Sequence, residues 1–130
     1  MEHECSLTTR SYECDSYGHI NNAVYLNYLE YARMQFLHAA GVPFAALRAQ
    51  GIGFVVVRIC IDYRAAVGPE EPLRIVTKPR RKEHVRVVFT QEIYRDRDLA
   101  AEAEVTWACV NAQGKPVRLP AQLQIPELEP

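Results

Sequence analysis

The chain has 130 residues, 48% of them hydrophobic, with 15 basic against 16 acidic side chains and a net charge of −1. That length suits one domain over residues 1–130 and excludes two full-sized ones. The charge balance argues against bulk attraction to nucleic acid or a membrane surface, and no run approaches the ~20 apolar residues that span a bilayer.

The chain opens Met-Glu-His-Glu-Cys-Ser, without the basic start and apolar run of a secretory leader, so a cytoplasmic location is expected. Residues 5–14 mix β-branched and aromatic side chains and read as a strand. A polar stretch, Asp15-Ser16-Tyr17-Gly18-His19, follows it. From Asn22 the apolar residues take helical spacing. Tyr25, Tyr28, Leu29, Ala32 and Phe36 share one face, while Leu26, Met34 and Leu37 cover other sides. A helix apolar around most of its circumference is expected to be enclosed. Asn21 or Asn22 suits its cap, and Gly41 with Pro43 ends it. About 19 residues make a rod of roughly 28 Å. A short second helix is expected over residues 43–50.

The remainder is strand-like, over residues 53–63, 73–79, 85–94 and 101–110. The separating turns are short, at Gly68-Pro69, Lys82-Glu83-His84 and Arg95-Asp96-Arg97-Asp98. Such connections suit antiparallel neighbours and leave no room for crossover helices. The expected class is α+β, a curved antiparallel sheet of about five strands wrapped around one long helix. Four cysteines lie scattered without C-x-x-C spacing and read as free, buried thiols.

Asp15 stands just ahead of a Gly-containing turn that enters the helix. The first turn of a helix leaves N–H groups without intrahelical partners and carries partial positive charge. Such donors stabilise an oxyanion forming from a carbonyl, and an ionised carboxylate attacks or deprotonates water. A thioester needs both, and its thiolate leaves readily without a strong general acid. The ordinary role for an Asp at such a place is turn formation or capping. Tyr25, Tyr28 and Tyr31 suit either an acyl tunnel or the core. Glu30 and Arg33, three apart, suit an ordinary surface pair with each other, but on an enclosed helix they would need further partners, such as across a subunit interface. His3, His38 and His84 lack metal-ligand spacing, so neither a metal site nor a cofactor is expected.

The run from Tyr12 to Arg33 closely resembles the signature of hotdog-fold acyl-CoA thioesterases. It is most similar to the subgroup of 4-hydroxybenzoyl-CoA thioesterases and Tol–Pal-associated thioesterases. Asp15, Gly18, Tyr25, Tyr28, Glu30 and Arg33 stand at matching places, and the likeness continues through Val57-Arg58, Ile61-Asp62-Tyr63 and Gly114 to Pro120. The resemblance implies hydrolysis of an acyl-CoA by a homodimer or homotetramer with active sites between subunits. It makes Asp15 the catalytic carboxylate, as nucleophile or base, and sets Asn22 beside the amides that polarise the thioester. Gly18 and Tyr25 would contact substrate, and Arg80, Arg81 and Lys82, in the densest basic cluster with Lys78, would meet the CoA phosphates. Many relatives carry His where this chain has Asn22. Its Gly18-His19-Ile20-Asn21-Asn22 is closer to the His-x-Asn-Asn of plant acyl-carrier-protein thioesterases, whose Asp-x-Asn-x-His set is matched by Asp15 and His19 but not by Tyr17. Two other readings stay open: a hydratase or dehydratase with His19 as base, and a non-catalytic acyl-CoA-binding module.

Overall fold

The computed structural model describes all 130 residues. In chain order they form β1 (His3–Thr8), α1 (Val24–Ala39), α2 (Phe44–Ala49), β2 (Gly53–Tyr63), β3 (Pro72–Lys82), β4 (Arg86–Arg95) and β5 (Asp98–Val110). All five strands join one antiparallel sheet in the order β1-β3-β4-β5-β2, which leaves β1 and β2 as its edges. Register shifts occur between Val56 and Arg58, Pro79 and Arg81, and Ile93 and Tyr94. Each adds local twist, and together they coil the sheet around α1. No helix is long and apolar enough to cross a membrane.

Three local details differ from the sequence reading. The first strand stops at Thr8 rather than residue 14. The Arg10 N–H donates to the Glu13 carboxylate at 2.8 Å and its guanidinium does so at 3.2 Å, which winds Ser11–Glu13 into a 3₁₀ turn. The helix begins at Val24, so its 16 residues span about 24 Å. Asn21, not Asn22, secures that entry: its Oδ1 accepts from the Ala23 N–H at 2.9 Å and its carbonyl from the Val24 N–H at 2.9 Å. Gly41 ends the helix as expected, because its φ of +78° lets the Val42 N–H return to the Leu37 carbonyl at 3.0 Å. The thiols are all free, but only Cys109 is buried; Cys5 and Cys14 are half-buried and Cys60 is exposed.

The core lies between α1 and the concave face of the sheet in two apolar clusters. Tyr25, Tyr28, Leu29 and Ala32 pack on Leu73, Ile75 and Ile93. Phe36 and Leu37 pack on Val87, Phe89 and Trp107, closed from outside by Leu119, Leu123 and Leu128 of the C-terminal segment. A polar layer separates them. Arg33 donates to Gln91 Oε1 at 2.9 Å, and Gln91 Nε2 donates to the Leu29 carbonyl and Thr77 Oγ1, each at 2.9 Å. Arg33 and Glu30 therefore do not pair: Arg33 points inward to the sheet, while Glu30 is exposed. Asn27, Glu30, Tyr31 and His38 form an exposed stripe, so α1 is enclosed on the sheet side only.

Candidate active site

Asp15 sits in a closed loop between two bridged residues, Cys14 and Ile20. Its N–H donates to the His19 carbonyl at 2.7 Å, and its own carbonyl accepts from the Gly18 N–H at 3.1 Å. Gly18 takes a φ of +78°, a conformation that side chains resist, so its part is to close the turn. Asp15 Oδ1 accepts from the N–H groups of Tyr17 at 2.9 Å and His19 at 3.3 Å. The ordinary turn-forming role is thus real, yet it occupies one oxygen only. Oδ2 has no partner within the chain. Asp15 itself is exposed.

Asp15, His19, Asn22, Tyr25, Tyr63 and Arg64 border one open depression of about 330 Å³. At the helix mouth the N–H groups of Asn22 and Tyr25 engage no acceptor of the chain, whereas the neighbouring Ala23 and Val24 N–H groups do. The two unengaged donors of the N-terminal turn and the free carboxylate oxygen therefore belong to residues that border the same hollow. Such a pairing can polarise a carbonyl and activate water against it. The His19 imidazole makes no hydrogen bond within the chain, so its side chain is free to turn toward a ligand.

Tyr63 and Arg64 had no assigned role from the sequence. The Tyr63 hydroxyl donates to the Asn22 carbonyl at 2.8 Å, and its ring meets the edge of Tyr25 at 5.1 Å. It thereby ties the end of β2 to the helix entry across 41 positions of sequence. Arg64 brings a cation to the rim, held by Glu102 and Asp62. A Tyr-Arg pair at a strand end is too common a pattern to single out without knowing what lies opposite it.

Glu13 clamps the base of the loop. Its carbonyl accepts from the Asn21 N–H at 2.9 Å, and its Oε1 accepts from the Tyr28 hydroxyl at 2.7 Å. Burial alone would push the Glu13 carboxyl up, but hydrogen bonds from Tyr28 and Arg10 outweigh it and hold the carboxyl below its usual range. Burial, then the bond to Glu13, drives the Tyr28 phenol well above its own. A carboxyl lowered in the folded state contributes stability above its unfolded pKa, and loses it as pH falls through the folded value. Tyr28→Phe is expected to cost about 1–2 kcal/mol in urea unfolding at neutral pH. The difference from wild type should shrink as pH drops below about 4.5, the ordinary value for Glu13. A pH-independent difference would show that the phenol matters for packing alone.

The basic cluster lies elsewhere. The sequence placed it at a strand end near residue 79, but β3 runs on to Lys82. Ile75 is the β3 residue level with Tyr63, so Arg80 lies about 17 Å and Lys82 about 23 Å farther along the strand. There Arg80 faces Glu104 at 3.6 Å, Arg81 pairs with Glu83 at 2.8 Å and Lys82 with Glu129 at 2.7 Å. Within one chain these three do not meet the depression.

The sequence profile described as the thioesterase-like superfamily matches residues 9–126. The chain is 31% identical over 110 residues to the long-chain acyl-CoA thioesterase FadM of Escherichia coli, covering 83% of each. It is 29% identical over 126 residues to a chloroplastic acyl-acyl carrier protein thioesterase of Arabidopsis thaliana, covering 94% of this chain and 66% of that protein. It thus spans just under two thirds of the plant relatives it matches. Among solved structures it resembles a probable thioesterase from Bartonella henselae, with a TM-score of 0.86 and 28% identity over 92% of this chain and 100% of that one.

Proposed function

The chain belongs to the thioesterase-like superfamily and has its hotdog fold, and from that premise we propose that it hydrolyses the thioester of an acyl-CoA. One observation carries the reading: Asn22 and Tyr25, whose N–H groups are unengaged, border the same hollow as Asp15, which has a free carboxylate oxygen. The thioester carbonyl oxygen receives those donors, and a water between the carbonyl carbon and Asp15 gives its proton to the carboxylate as its oxygen adds. The C–S bond then breaks, the acid departs, and the proton leaves with the CoA thiolate. Attack by Asp15 itself yields the same products through an anhydride, and label on Asp15 after a single turnover in ¹⁸O-water identifies that route where water opens the anhydride at the Asp15 carbonyl.

The motif from Tyr12 to Arg33 favours the 4-hydroxybenzoyl-CoA and Tol–Pal-associated branch of the family. The His-x-Asn-Asn at His19 to Asn22 favours a carrier-protein donor as the second substrate to try, in line with the name of the Arabidopsis relative. The acyl group lies beside α1, along the groove toward β2.

The working unit is a homodimer, and what supports it is the bare edge of β2. Val55, Val56, Val57 and Tyr63 are 41–55% exposed along a strand whose outer side pairs with nothing in the chain. Antiparallel pairing of two such edges about a two-fold axis sets the Gly53 end of one strand beside the Tyr63 end of the other. The far end of one sheet, which carries Arg80, Arg81 and Lys82, then approaches the other subunit's helix mouth. That arrangement gives the basic cluster access to CoA phosphates that a single chain denies it.

The test is release of free thiol from short, long and aromatic acyl-CoAs and from an acyl-carrier-protein ester. Turnover of at least one class is expected. Tight binding with no thiol released from any of them would leave the chain a binding module.

A further inference from the structure

Arg33 is the one lysine or arginine buried in the fold, 5% exposed, and it has no carboxylate within 4 Å. Its five N–H donors meet a single side-chain acceptor, Gln91 Oε1. Gln91 is itself fixed by the Leu29 carbonyl and Thr77, so it offers Arg33 that one oxygen and no more. Burial draws the guanidinium below its usual range, as expected for a cation held out of water. Buried arginines are ordinarily matched by an anion or by several acceptors.

The same residue forms part of the wall of a second hollow, about 250 Å³, built mainly by Met34, Leu37, Phe44, Phe54 and Trp107. Glu30 and Arg48 also border it, but both are exposed at its rim. Because Tyr25 meets Tyr63 at one end and Met34 shares a hollow with Phe54 at the other, α1 runs antiparallel to β2. The two hollows therefore lie toward opposite ends of one α1–β2 groove. Eight residues of helix separate Tyr25 from Arg33, about 12 Å of rise, and the Arg33 side chain leans back toward the mouth.

A wholly apolar occupant would leave the spare donors of Arg33 without water and without acceptors. An anionic one would give up its water for one guanidinium already bonded to Gln91, with Glu30 and Arg48 offsetting each other at the rim. A neutral oxygen suits both constraints. We infer that this hollow receives the acyl group of the thioester and that Arg33 selects chains bearing a hydroxyl or oxo oxygen part-way along them, an inference that rests on the hydrolase reading above.

Trp107 is the only tryptophan of the chain and stands in the hollow, so its fluorescence reports occupancy. The Asp15→Asn protein, which retains Arg33, is titrated with four CoA thioesters of equal chain length: unsubstituted, hydroxylated, oxo-substituted and carboxyl-terminated. The hydroxylated or oxo chain is expected to bind about tenfold more tightly than the unsubstituted one, the loss that one unmet buried hydrogen bond produces. Arg33→Met should reduce that ratio below about twofold, chiefly by tightening binding of the unsubstituted chain, whose unmet-donor penalty it removes. Equal binding of all four ligands overturns the inference, as does tightest binding of the carboxyl-terminated chain or a preference that survives in Arg33→Met. If Arg33→Met does not fold, the four-ligand comparison decides alone. Absence of thiol release by wild type would count against the hydrolase reading, and the Trp107 series would still judge selection.

Discussion

Asp15→Asn is expected to lower kcat for the preferred acyl thioester by about 10³-fold while leaving the melting temperature within about 2 °C of wild type. The substitution separates the two roles of this residue. Asparagine keeps Oδ1 and hence the acceptor for the Tyr17 and His19 N–H groups that shape the loop. It replaces the free oxygen with an amide nitrogen, which neither takes a proton from water nor attacks a carbonyl. Because Asp15 is exposed and contributes nothing to either apolar cluster, folding has little reason to respond. Asp15→Ala is the less informative variant, since it also removes the loop acceptor. Thiol release and thermal unfolding, measured on the same preparation, check both halves. A loss below tenfold would move the chemistry to another group, and His19→Ala would be the next variant to assay.

The helix, the β3–β4 and β4–β5 hairpins implied by short turns, and the carboxylate ahead of the helix were legible because each depends on near neighbours. The Gly68-Pro69 turn misled, since β2 pairs with β5 at the sheet edge and not with β3. Spacing of Tyr25, Tyr28, Leu29, Ala32 and Phe36 reports one buried face regardless of what covers it. The misread features all depend on distant partners or on side chains competing with the backbone. Arg33 looked like half of a surface pair with Glu30 because its actual partner, Gln91, lies 58 residues on. Tyr63 carried no signal until the end of β2 was seen beside Asn22. The first strand looked longer because alternation continues through Tyr12 and Glu13, where the Arg10–Glu13 bonds instead turn the backbone. The basic cluster was placed by charge density, and charge density does not say which end of a sheet a strand has reached. Of the candidate site, the sequence singled out Asp15, the helix mouth and Tyr25, but not the Tyr63 tie to Asn22.

Val57→Glu is expected to convert a dimer into monomers and to lower turnover at least about 10²-fold. A long, apolar, unpaired strand edge invites pairing, and a charge placed on it is the usual means by which proteins prevent that. Val57 is well suited to the test because it is the extra residue of the β2 bulge and 55% exposed, so the fold of one chain does not depend on it. Activity should fall with the dimer for a geometric reason. The depression around Asp15 is open, and its neighbours Tyr63 and Arg64 belong to the end of that edge strand, so a second subunit is what would wall it off from bulk water. Exclusion of water strengthens the pull of the Asn22 and Tyr25 N–H groups on a developing oxyanion. Sedimentation of wild type and variant gives the oligomeric state, and circular dichroism checks that the monomer is folded. A wild type that sediments as a monomer, or a folded monomeric variant with full turnover, would show that each chain carries a complete site and that the β2 edge serves something else.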